Sequence, residues 1–494
     1  MRILQQARAW LRRRRQVATD SLPELAPLGG RVGERFAFVT SAYNTPPDLL
    51  RELAASLAAQ NEEGAVWVLV DNGTTDEASR ACLDELAQLG WVQLVREPEN
   101  RGILGGMRAA LSAADREFVL PVDSDDLLAP HTIRALGHAL RATPTAKFLF
   151  SDEDHFTDGR RVNPFYRTGW DPALALACSY IWHLCAFDRA EALRLGVYAD
   201  PGANYCHDWD TLLRFVRAGH QPKHVAEVLY SWRTHAASTT NNDEAAHSGS
   251  LDSQRHVLAL QLRGLGLADR FDVADCPLWR GAPELRLTRQ SQPEPQVEIA
   301  ADATALRALV AGDVASGDTT ASDAAVLLRD SRVAIAEEDA LLECVGWLEL
   351  LPEAVVVGGR LIDRAGTVIS AGYFPAEAGR LAAPDAGRRK DDPGYLAMAL
   401  KPRVVAAVPV GHVLLRRRWL VTLADRLSQA PADGAQFVIW LCEQARASGA
   451  RVVCTPFVTG STDSAEVLAT GPNAFAVDGE FSLRGVWHGA WNAS

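Results

Sequence analysis

The stretch that decides the fold is Phe118-Val-Leu-Pro-Val-Asp123-Ser124-Asp125-Asp126. A short apolar run is typical of a buried strand, so the three carboxylates are expected where that strand leaves its sheet. In open α/β sheets, ligands bind beyond the carboxyl ends of the strands. Oxygen ligands suit a hard cation such as Mg²⁺ or Mn²⁺, which keeps positions open for phosphate groups. The stretch indicates nucleotide-diphosphate chemistry, although a helix cap or a turn would use the same residue types.

Strands and amphipathic helices alternate around this stretch, from Arg35 to about residue 146. The pattern predicts strands at 36–42, 65–70, 91–96 and 118–122, and helices at 46–60, 75–89 and 104–114. Repeated strand–helix units predict a mostly parallel sheet with right-handed crossovers. Residues 147–240 are less regular and are expected to form the substrate side of the same domain. A further helix is predicted from about Glu244 to Leu265.

Composition excludes several classes of protein. The chain has 494 residues, of which 48% are hydrophobic and 23% charged, as in ordinary globular proteins. A net charge of -12 argues against nucleic acid as a partner. The eight cysteines contain no CxxC pair, so neither a zinc ribbon nor a disulfide framework is indicated. A reduced, cytoplasmic setting is the simplest interpretation.

The N-terminal stretch, residues 1–16, is basic, whereas the rest of the chain is acidic. It carries six arginines, and Trp10 lies among apolar residues at helical spacing. A basic amphipathic helix of this kind favours an anionic membrane surface over a solvated helix or an arm packed on a partner. The sequence contains neither a signal-peptide pattern nor an apolar run that could span a bilayer. We therefore expect a cytoplasmic protein that is peripheral at the inner face of the plasma membrane.

Two more segments at predicted strand ends carry candidate ligand-binding residues. Asp71-Asn-Gly-Thr-Thr-Asp76 follows the second strand, and Asn100-Arg-Gly102-Ile-Leu-Gly-Gly follows the third. An acid at a strand tip can read a nucleoside, and glycines at a helix start let backbone approach a diphosphate. The spacing is neither GxGxxG nor that of a P-loop, so a dinucleotide Rossmann fold is excluded.

The ordered set of these segments resembles the family 2 glycosyltransferases, which have a GT-A fold. The set runs from Ala42-Tyr43-Asn44 through the three segments above to Cys206-His-Asp208-Trp-Asp210 and Ser231-Trp-Arg233-Thr-His235. Phe150-Ser-Asp-Glu-Asp154 and Trp170-Asp-Pro172 are similar to the central part of the bacterial polysaccharide enzymes. The resemblance covers about residues 35–265.

The resemblance implies a role for individual residues. Asp71 matches the acid that contacts the nucleotide base, and Asp123 and Asp125 match the pair that holds the ribose and a divalent ion, Mn²⁺ or Mg²⁺. His235 matches a position that adds a metal or diphosphate contact. The remaining donor-binding residues are expected to be Ala42, Tyr43, Asn44, Asn100, Gly102 and Ser124.

The acceptor side rests on the later motifs. Asp208 matches the general base that deprotonates the acceptor hydroxyl, which fits direct displacement with inversion. Trp209, Trp232 and Arg233 are expected to shape the sugar and acceptor pocket. Each residue has a structural alternative, since acids also start helices and an Arg beside a Trp also forms a simple stack.

The sequence departs from the family pattern at two places. Asn72 follows Asp71 where a second acid is common, and Cys206-His207 precedes Asp208 where small or amide residues are usual. Neither departure removes a carboxylate of the expected site. The specificity for the sugar is harder to infer from such a sequence.

Residues 320–460 resemble the later part of a second, degenerate domain of the same kind. Ala325-Val-Leu-Leu-Arg329-Asp330-Ser-Arg332 stands where a strand would deliver the metal acids, and only Asp330 remains. Gln436-Phe-Val-Ile-Trp-Leu-Cys-Glu443 is apolar where the base region should be. Residues 297–320 are too few for a complete nucleotide-binding half. We expect a module that supports the first domain, binds polymer or mediates assembly, the alternative being a second transferase with unusual ligands.

The predicted organisation is α/β throughout: a GT-A domain with a mixed sheet and flanking helices, followed by a smaller GT-A-like domain. The boundaries are a basic segment at 1–34, the catalytic domain at 35–270, a linker at 271–298 and the degenerate domain at 299–494. The expected activity is metal-dependent, inverting transfer of a sugar from a nucleotide-diphosphate donor to a glycan or lipid-linked acceptor, as in bacterial surface polysaccharide synthesis. The alternatives are a carbohydrate-binding scaffold built on inactive domains and a nucleotidyltransferase.

Overall fold

The structure is a computed structural model that describes most of the chain. The described residues are 25–26, 28, 31–60, 62–234, 244–276, 285–316, 324–375, 381–432 and 434–468. The predicted membrane-facing stretch at 1–16 and the predicted ligand His235 lie outside them. The described residues form two compact units. The first comprises those up to Trp170 and Ser179–Val257, and the second comprises Asp171–Cys178 and those from Leu258 onward.

Strands and helices follow the apolar runs of the sequence closely. Up to residue 289 the strands are β1 (Phe36–Ala42), β2 (Val66–Asn72), β3 (Val92–Glu97), β4 (Phe118–Pro121), β5 (Leu127–Leu128), β6 (Phe148–Thr157), β7 (Arg160–Phe165), β8 (Cys185–Asp188), β9 (Lys223–Arg233), β10 (Phe271–Asp275) and β11 (Leu285–Arg289). The α-helices of the same part are α1 (Pro47–Ala58), α2 (Glu77–Leu86), α3 (Gly102–Ala113), α4 (Thr132–Ala142), α5 (Pro172–Ala177), α6 (Arg189–Arg194), α7 (His207–Arg217) and α8 (Glu244–Gly264).

The later part of the chain alternates in the same way. Its strands are β12 (Val297–Ala300), β13 (Ala325–Arg329), β14 (Ala334–Ile335), β15 (Ala354–Asp363), β16 (Val368–Ser370), β17 (Phe374–Pro375), β18 (Leu381–Ala382), β19 (Arg403–Val404), β20 (His412–Arg416) and β21 (Arg451–Thr462). Its α-helices are α9 (Ala303–Ser316), α10 (Ala340–Leu350), α11 (Arg417–Val421), α12 (Gly434–Ala447) and α13 (Ala465–Leu468). Among the described helices, none is long and apolar enough to cross a bilayer.

The sheet of the first unit has the strand order β3-β2-β1-β4-β8-β6-β9-β5, with β7 paired to β6. The first four strands of this order are parallel, as the repeated strand–helix units predict. Strand β8 runs antiparallel to both of its neighbours, β4 and β6. The sheet is therefore mixed, and its antiparallel members come from the segment that shows no regular strand–helix repeat.

Burial explains why these strands form. The residues of β1, β2 and β4 point alternately to both faces, and both faces are covered, so the runs are apolar almost throughout. The core beneath includes Phe38, Trp67 and Leu120, each at most 1% exposed. The polar residues that follow each strand lie outside this core, at the carboxyl ends of the parallel strands.

The sheet of the second unit has the order β12-β13-β20-β15-β21-β14, with β16 paired to β15. This order matches β1-β4-β8-β6-β9-β5 strand for strand, and each matching pair has the same relative direction. Within the described residues, the second sheet has no strand that corresponds to β2 or β3. The predicted α/β architecture with a second, smaller sheet domain is confirmed.

Candidate active site

Loops from neighbouring strands are joined by side-chain hydrogen bonds at one end of the first sheet. The side-chain oxygen of Asn44, after β1, accepts from the backbone N–H groups of Thr75 (2.8 Å) and Asp76 (3.0 Å), after β2. The hydroxyls of Thr45 and Ser124 lie 2.7 Å apart, which joins the loops after β1 and β4. The predicted donor residues Asn44 and Ser124 are therefore held in connected loops.

Asp71 is buried, with 4% of its surface exposed. One carboxylate oxygen accepts from the backbone N–H of Thr74 (2.9 Å), and the other pairs with the guanidinium of Arg96 (2.7 Å). Ala42 lies opposite Asp71 in the ladder between β1 and β2. The acid thus closes its turn and also lies at the strand end, and its contact with a nucleotide base remains a prediction.

Asn72 explains one departure from the family pattern. Its amide nitrogen donates to the side chain of Asn100 (3.2 Å) and to the carbonyl of Gly102 (2.9 Å), and its amide oxygen accepts from the backbone N–H of Arg101 (3.1 Å). An ionised acid has no proton to donate, so it could make only the last of these bonds. The amide therefore fixes the start of α3 against the end of β2.

The loop Asp123–Asp126 is held by the end of β9. The hydroxyl of Tyr230 accepts from the backbone N–H of Asp123 (3.1 Å) and donates to the carboxylate of Asp126 (2.6 Å). Arg233 donates its backbone N–H to Asp126 (2.7 Å), and its guanidinium donates to the carbonyl of Asp125 (2.6 Å) and to Glu52 (2.7 Å). Burial, reinforced by the charge of Asp123, raises the pKa of Asp126 to about 8.

His183, just before β8, lies between two carboxylates of the site. Its Nε2 is 3.6 Å from Asp123 Oδ2, and its Nδ1 is 3.4 Å from Glu153 Oε2. The imidazole stacks on the ring of Tyr230, with centroids 4.5 Å apart. Burial alone would lower the pKa of His183, but the adjacent carboxylates of Asp123 and Glu153 raise it well above its usual range.

The donor set fits a divalent cation. Asp123, Asp126 and His183 each offer a ligand atom, and these atoms lie within 4.8 Å of one another. Carboxylate oxygen and imidazole nitrogen are ordinary ligands of Mn²⁺ and related ions. Of the two predicted metal acids, Asp123 belongs to this cluster. Asp125 lies in the same loop, and its role as a metal ligand remains a prediction.

Asp208 lies in the first turn of α7, with 29% of its side chain exposed. Its carboxylate is 3.4 Å from the ring nitrogen Nε2 of His207. The charge of His207 lowers the pKa of Asp123, although burial and the nearer His183 have larger effects. The charge of Asp208 adds to the effect of burial in raising the pKa of Cys185 in β8. His207 and Asp208, at the N-terminus of α7, are thus near enough for their charges to act on Asp123 and on Cys185, respectively.

The aromatic residues predicted for the acceptor pocket differ in exposure. Trp209 is buried, with 1% exposed, and so contributes to the core beneath α7. Trp232 is half-buried and meets the ring of His155 edge-on at 5.3 Å. Arg233 holds the loop Asp123–Asp126 through the hydrogen bonds described above. Whether these residues also contact an acceptor remains a prediction.

His183 and Glu153 were not among the residues predicted from the sequence. The single histidine in Tyr180-Ile-Trp-His183-Leu has no second ligand residue at a metal-binding spacing nearby. Glu153 lies inside a buried strand, where an acid is more simply explained by an internal ion pair. The antiparallel pairing of β8 with β4 and β6 brings both residues to the acids. Only the order of the strands reveals this proximity.

The comparisons with known proteins agree with this arrangement. Residues 37–189 match the model of the family described as glycosyl transferase family 2. The "Uncharacterized protein y4gI" of Sinorhizobium fredii is 30% identical over 217 residues, which are 43% of this chain and 24% of that protein. The O-antigen biosynthesis protein RfbC of Myxococcus xanthus is 25% identical over 227 residues, 45% of this chain and 18% of that protein. The chain thus spans a quarter or less of the length of these two relatives.

A solved structure of S. aureus TarS, residues 1–349, in complex with UDP-GlcNAc has 16% sequence identity and a TM-score of 0.39, covering 47% of this chain and 70% of that one. The family match, rather than this likeness, carries the assignment. It spans β1 to β8 and includes the loops with Asp71, Asn100 and Asp123. Residues 37–189 of this chain form a glycosyl transferase family 2 domain.

Proposed function

We propose that this protein is a metal-dependent, inverting glycosyltransferase whose chemistry takes place in its first unit. The observation that supports this most directly is the cluster of Asp123, Asp126 and His183 at the end of β4, inside the stretch that matches the family 2 model. A transferase of this kind needs an anchor for the donor diphosphate and a base for the acceptor. The loop after β4, inside the family 2 domain, supplies the candidate anchor, and Asp208 in α7, which follows that domain in the chain, is the candidate base.

The donor is a sugar linked to a nucleoside diphosphate. Asp71 would contact the base, while Asn44, Asn100, Gly102 and Ser124 belong to the loops that would surround the nucleotide, together with Ala42 and Tyr43. Asp123, Asp125 and the undescribed His235 would hold Mn²⁺ or Mg²⁺. The ion, when bound, neutralises the charge that builds on the departing diphosphate.

Asp208 acts on the acceptor. Its carboxylate takes the proton from the acceptor hydroxyl, and the oxygen attacks the anomeric carbon on the side opposite the diphosphate. One displacement of this kind inverts the anomeric configuration. Helix α7 begins at His207, so the carboxylate is carried by a rigid element rather than by a loop.

The acceptor class is a glycan or a lipid-linked sugar of a bacterial surface polysaccharide. The name of the Myxococcus relative, an O-antigen biosynthesis protein, supports this context. The basic stretch at 1–16 would bring the enzyme to the membrane where lipid-linked acceptors lie. A cytoplasmic location and a peripheral membrane contact are part of the same proposal.

The test is a donor screen with Mn²⁺ or Mg²⁺ that measures release of the nucleoside diphosphate. Asp208→Asn keeps the size of the side chain but removes the base, so turnover should fall by at least about a hundredfold. Asp125→Ala should abolish transfer. The matched control is Asp330→Ala in the second unit, which should retain full activity because we propose that this unit is non-catalytic.

Two outcomes would contradict this view. Failure of every common donor to bind or react would favour a carbohydrate-binding scaffold. Loss of turnover in a folded Asp330→Ala variant would instead place chemistry in the second unit.

A further inference from the structure

His183 occupies a defined position in the first unit. Its ring is stacked against Tyr230 within 10° of parallel, and both ring nitrogens face carboxylates. The partner on the Nδ1 side, Glu153, is buried, with 2% exposed, and lies beside the buried guanidinium of Arg167. The orientation of the imidazole is therefore fixed by packing and charge from two sides.

This is the arrangement found around histidines that bind metals. Such a histidine donates one ring N–H to a carboxylate or carbonyl, and the opposite nitrogen binds the ion. Neither Nδ1 nor Glu153 Oε2, 3.4 Å apart, has a hydrogen-bond partner among the described residues, so a small movement would make Glu153 the acceptor for Nδ1. Nε2 then faces Asp123. The distance of 3.6 Å between Nε2 and Asp123 Oδ2 is longer than a hydrogen bond. Two adjacent ligands of one octahedral ion lie about 3 Å apart, so a small adjustment would place both atoms on one ion.

The second unit shows that the fold does not require these side chains. Leu149 pairs with Ala186 in the first sheet, and Val357 pairs with Leu414 in the second, which sets the correspondence between the two units. The last strand pair of each sheet gives the same alignment. Leu127 lies opposite Ser231 in the first sheet, and Ala334 lies opposite Ser461 in the second. The turn is also shared, because the N–H of Asp126 bonds to the carbonyl of Asp123 and that of Val333 to Asp330.

In this alignment the imidazole and three residues around it change together, whereas Asp123 is retained as Asp330. The four pairs of equivalent positions are Asp126 and Val333, Glu153 and Leu361, His183 and Gly411, and Tyr230 and Gly460. A Cβ atom at Gly411 or Gly460 would lie 2.7 or 2.6 Å from the side chain of Val333. Val333 thus fills the space that the imidazole and the phenol ring occupy in the first unit.

At the position equivalent to Asp125, the second unit has Arg332 instead of an acid. Its guanidinium pairs with Asp330 (2.6 Å) and with Glu466 (2.7 Å). The second unit therefore carries a fixed positive charge beside its one remaining acid. The second unit thus lacks equivalents of the imidazole and of the residues that support it. In that unit Val333 fills the space, and Arg332 neutralises the remaining acid.

We propose that His183 Nε2 is a ligand of the divalent ion, beside Asp123, and that Glu153 orients the imidazole for this purpose. This inference rests on the metal-dependent function proposed above. It adds a ligand from the segment before β8, which is distinct from the predicted ligand His235. Asp126 offers the third ligand atom of the cluster, and its two oxygens also accept hydrogen bonds from Tyr230 and Arg233, which hold the carboxylate in place.

The test measures binding of Mn²⁺ to the full chain by electron paramagnetic resonance, in the presence of UDP and, in a separate arm, GDP. His183→Phe keeps a ring to stack on Tyr230 but removes the ligand nitrogen, and Mn²⁺ should bind at least about tenfold more weakly. Glu153→Gln should weaken binding in the same direction. Asp330→Asn in the second unit is the control, and its Mn²⁺ affinity should equal that of the wild type.

The outcomes separate the two proposals. Equal Mn²⁺ affinity in wild type and a folded His183→Phe variant would overturn the assignment of His183 and leave the enzyme proposal intact. A wild-type chain that binds no Mn²⁺ with either nucleotide would overturn both. Thermal unfolding of each variant checks the fold. The ¹⁴N coupling to bound Mn²⁺, measured by electron spin-echo envelope modulation, is a second readout and should be weaker in His183→Phe than in wild type.

Discussion

The hydroxyl of Tyr230 serves two residues of one loop, because it accepts from Asp123 and donates to Asp126. The bond to Asp126 is buried, the bond from Asp123 is partly buried, and Tyr230 itself is fully shielded from solvent. A buried acceptor that loses its donor retains the full cost of desolvation. The phenol of Tyr230 thus fixes the position of the loop Asp123–Asp126.

Tyr230→Phe should lower the free energy of unfolding by about 1–3 kcal/mol, because Asp126 loses a buried hydrogen bond. Urea denaturation of the purified variant measures the change. Tyr205→Phe is the matched control, since Tyr205 is 54% exposed and its hydroxyl loss should change stability by less than about 0.5 kcal/mol. Equal stability of both variants would contradict the bridging role of the hydroxyl.

His412 at the start of β20 should make the protein sensitive to acid. Burial, with a further effect from Arg329, lowers the pKa of His412 to about 4. In the unfolded chain a histidine titrates near its ordinary value of about 6.5. Between these values the unfolded state binds more protons, so stability falls as the pH falls from 6.5 to 4, by up to about 1.4 kcal/mol per pH unit.

His412→Leu should remove this dependence, and leucine is the residue at the equivalent position of the first unit, Leu184. Among the described residues, neither ring nitrogen of His412 has a hydrogen-bond partner, so the variant should also be at least as stable at pH 7. Calorimetric melting at pH 7, 6 and 5 checks both expectations. An unchanged slope with pH would contradict the shifted pKa.

Individual site residues could be predicted from the sequence where they follow a strand in a fixed order. Asp123 and Asp125 follow an apolar run directly, and their position at the strand end needed no tertiary information. His183 could not be predicted, because its role depends on the neighbours that β8 acquires in the sheet. The structural function of Asn72 also escaped, since an amide at that position reads as a plain turn residue.

At the level of elements, α3 is packed closely on the first strands. Gly106 has no side chain, and a Cβ atom there would lie 1.9 Å from the hydroxyl of Ser41 in β1 and 3.0 Å from the amide nitrogen of Asn72. The helix can approach the sheet this closely only because of that glycine. The amide it meets is the one that ties the loop after β2 to the loop after β3.

Gly106→Ala should therefore destabilise the first unit by about 1–3 kcal/mol and displace the amide of Asn72. Gly90→Ala is the control, because nothing lies within 4 Å of the added atom. Urea denaturation measures stability, and the affinity for UDP or GDP reports the loop. A Gly106→Ala variant as stable as the control would show that α3 can move away without cost.

The strands and helices before residue 122 were predicted within a few residues, because both sides of the sheet are covered and the apolar runs are unbroken. The antiparallel members were not predicted. Buried strands such as β6 contain acids paired inside the protein, for example Asp152 with His224 and Asp154 with Arg161, so their sequence reads as irregular. The short strand β5 also stands where the sequence suggested a helix start, and α4 begins only at Thr132.

On the scale of the whole molecule, the second sheet repeats the strand order of the first but starts later. Residues 297–316 form one strand and one helix, and the described chain then continues with β13, the equivalent of β4. The loops with Asp71 and Asn100, expected to surround the nucleotide, follow β2 and β3. Among the described residues, the second unit offers no equivalents of these loops.

The full chain should bind one nucleoside diphosphate per polypeptide. Isothermal titration with UDP or GDP in the presence of Mn²⁺ measures the ratio. A variant that loses Asp125 should lose this single event, while Asp330→Asn should leave it unchanged. A ratio of two would contradict the assignment of the second unit as non-catalytic.

Within the described residues the second sheet lacks counterparts of β2 and β3, which has a kinetic consequence for the one-site enzyme that we propose. Each polypeptide would have to release its spent nucleotide before the next donor could bind, so successive additions would occur one at a time. The rate should then rise hyperbolically with donor concentration. A glycan built from two alternating sugars would require a second polypeptide, unless the single pocket accepts both donors in turn.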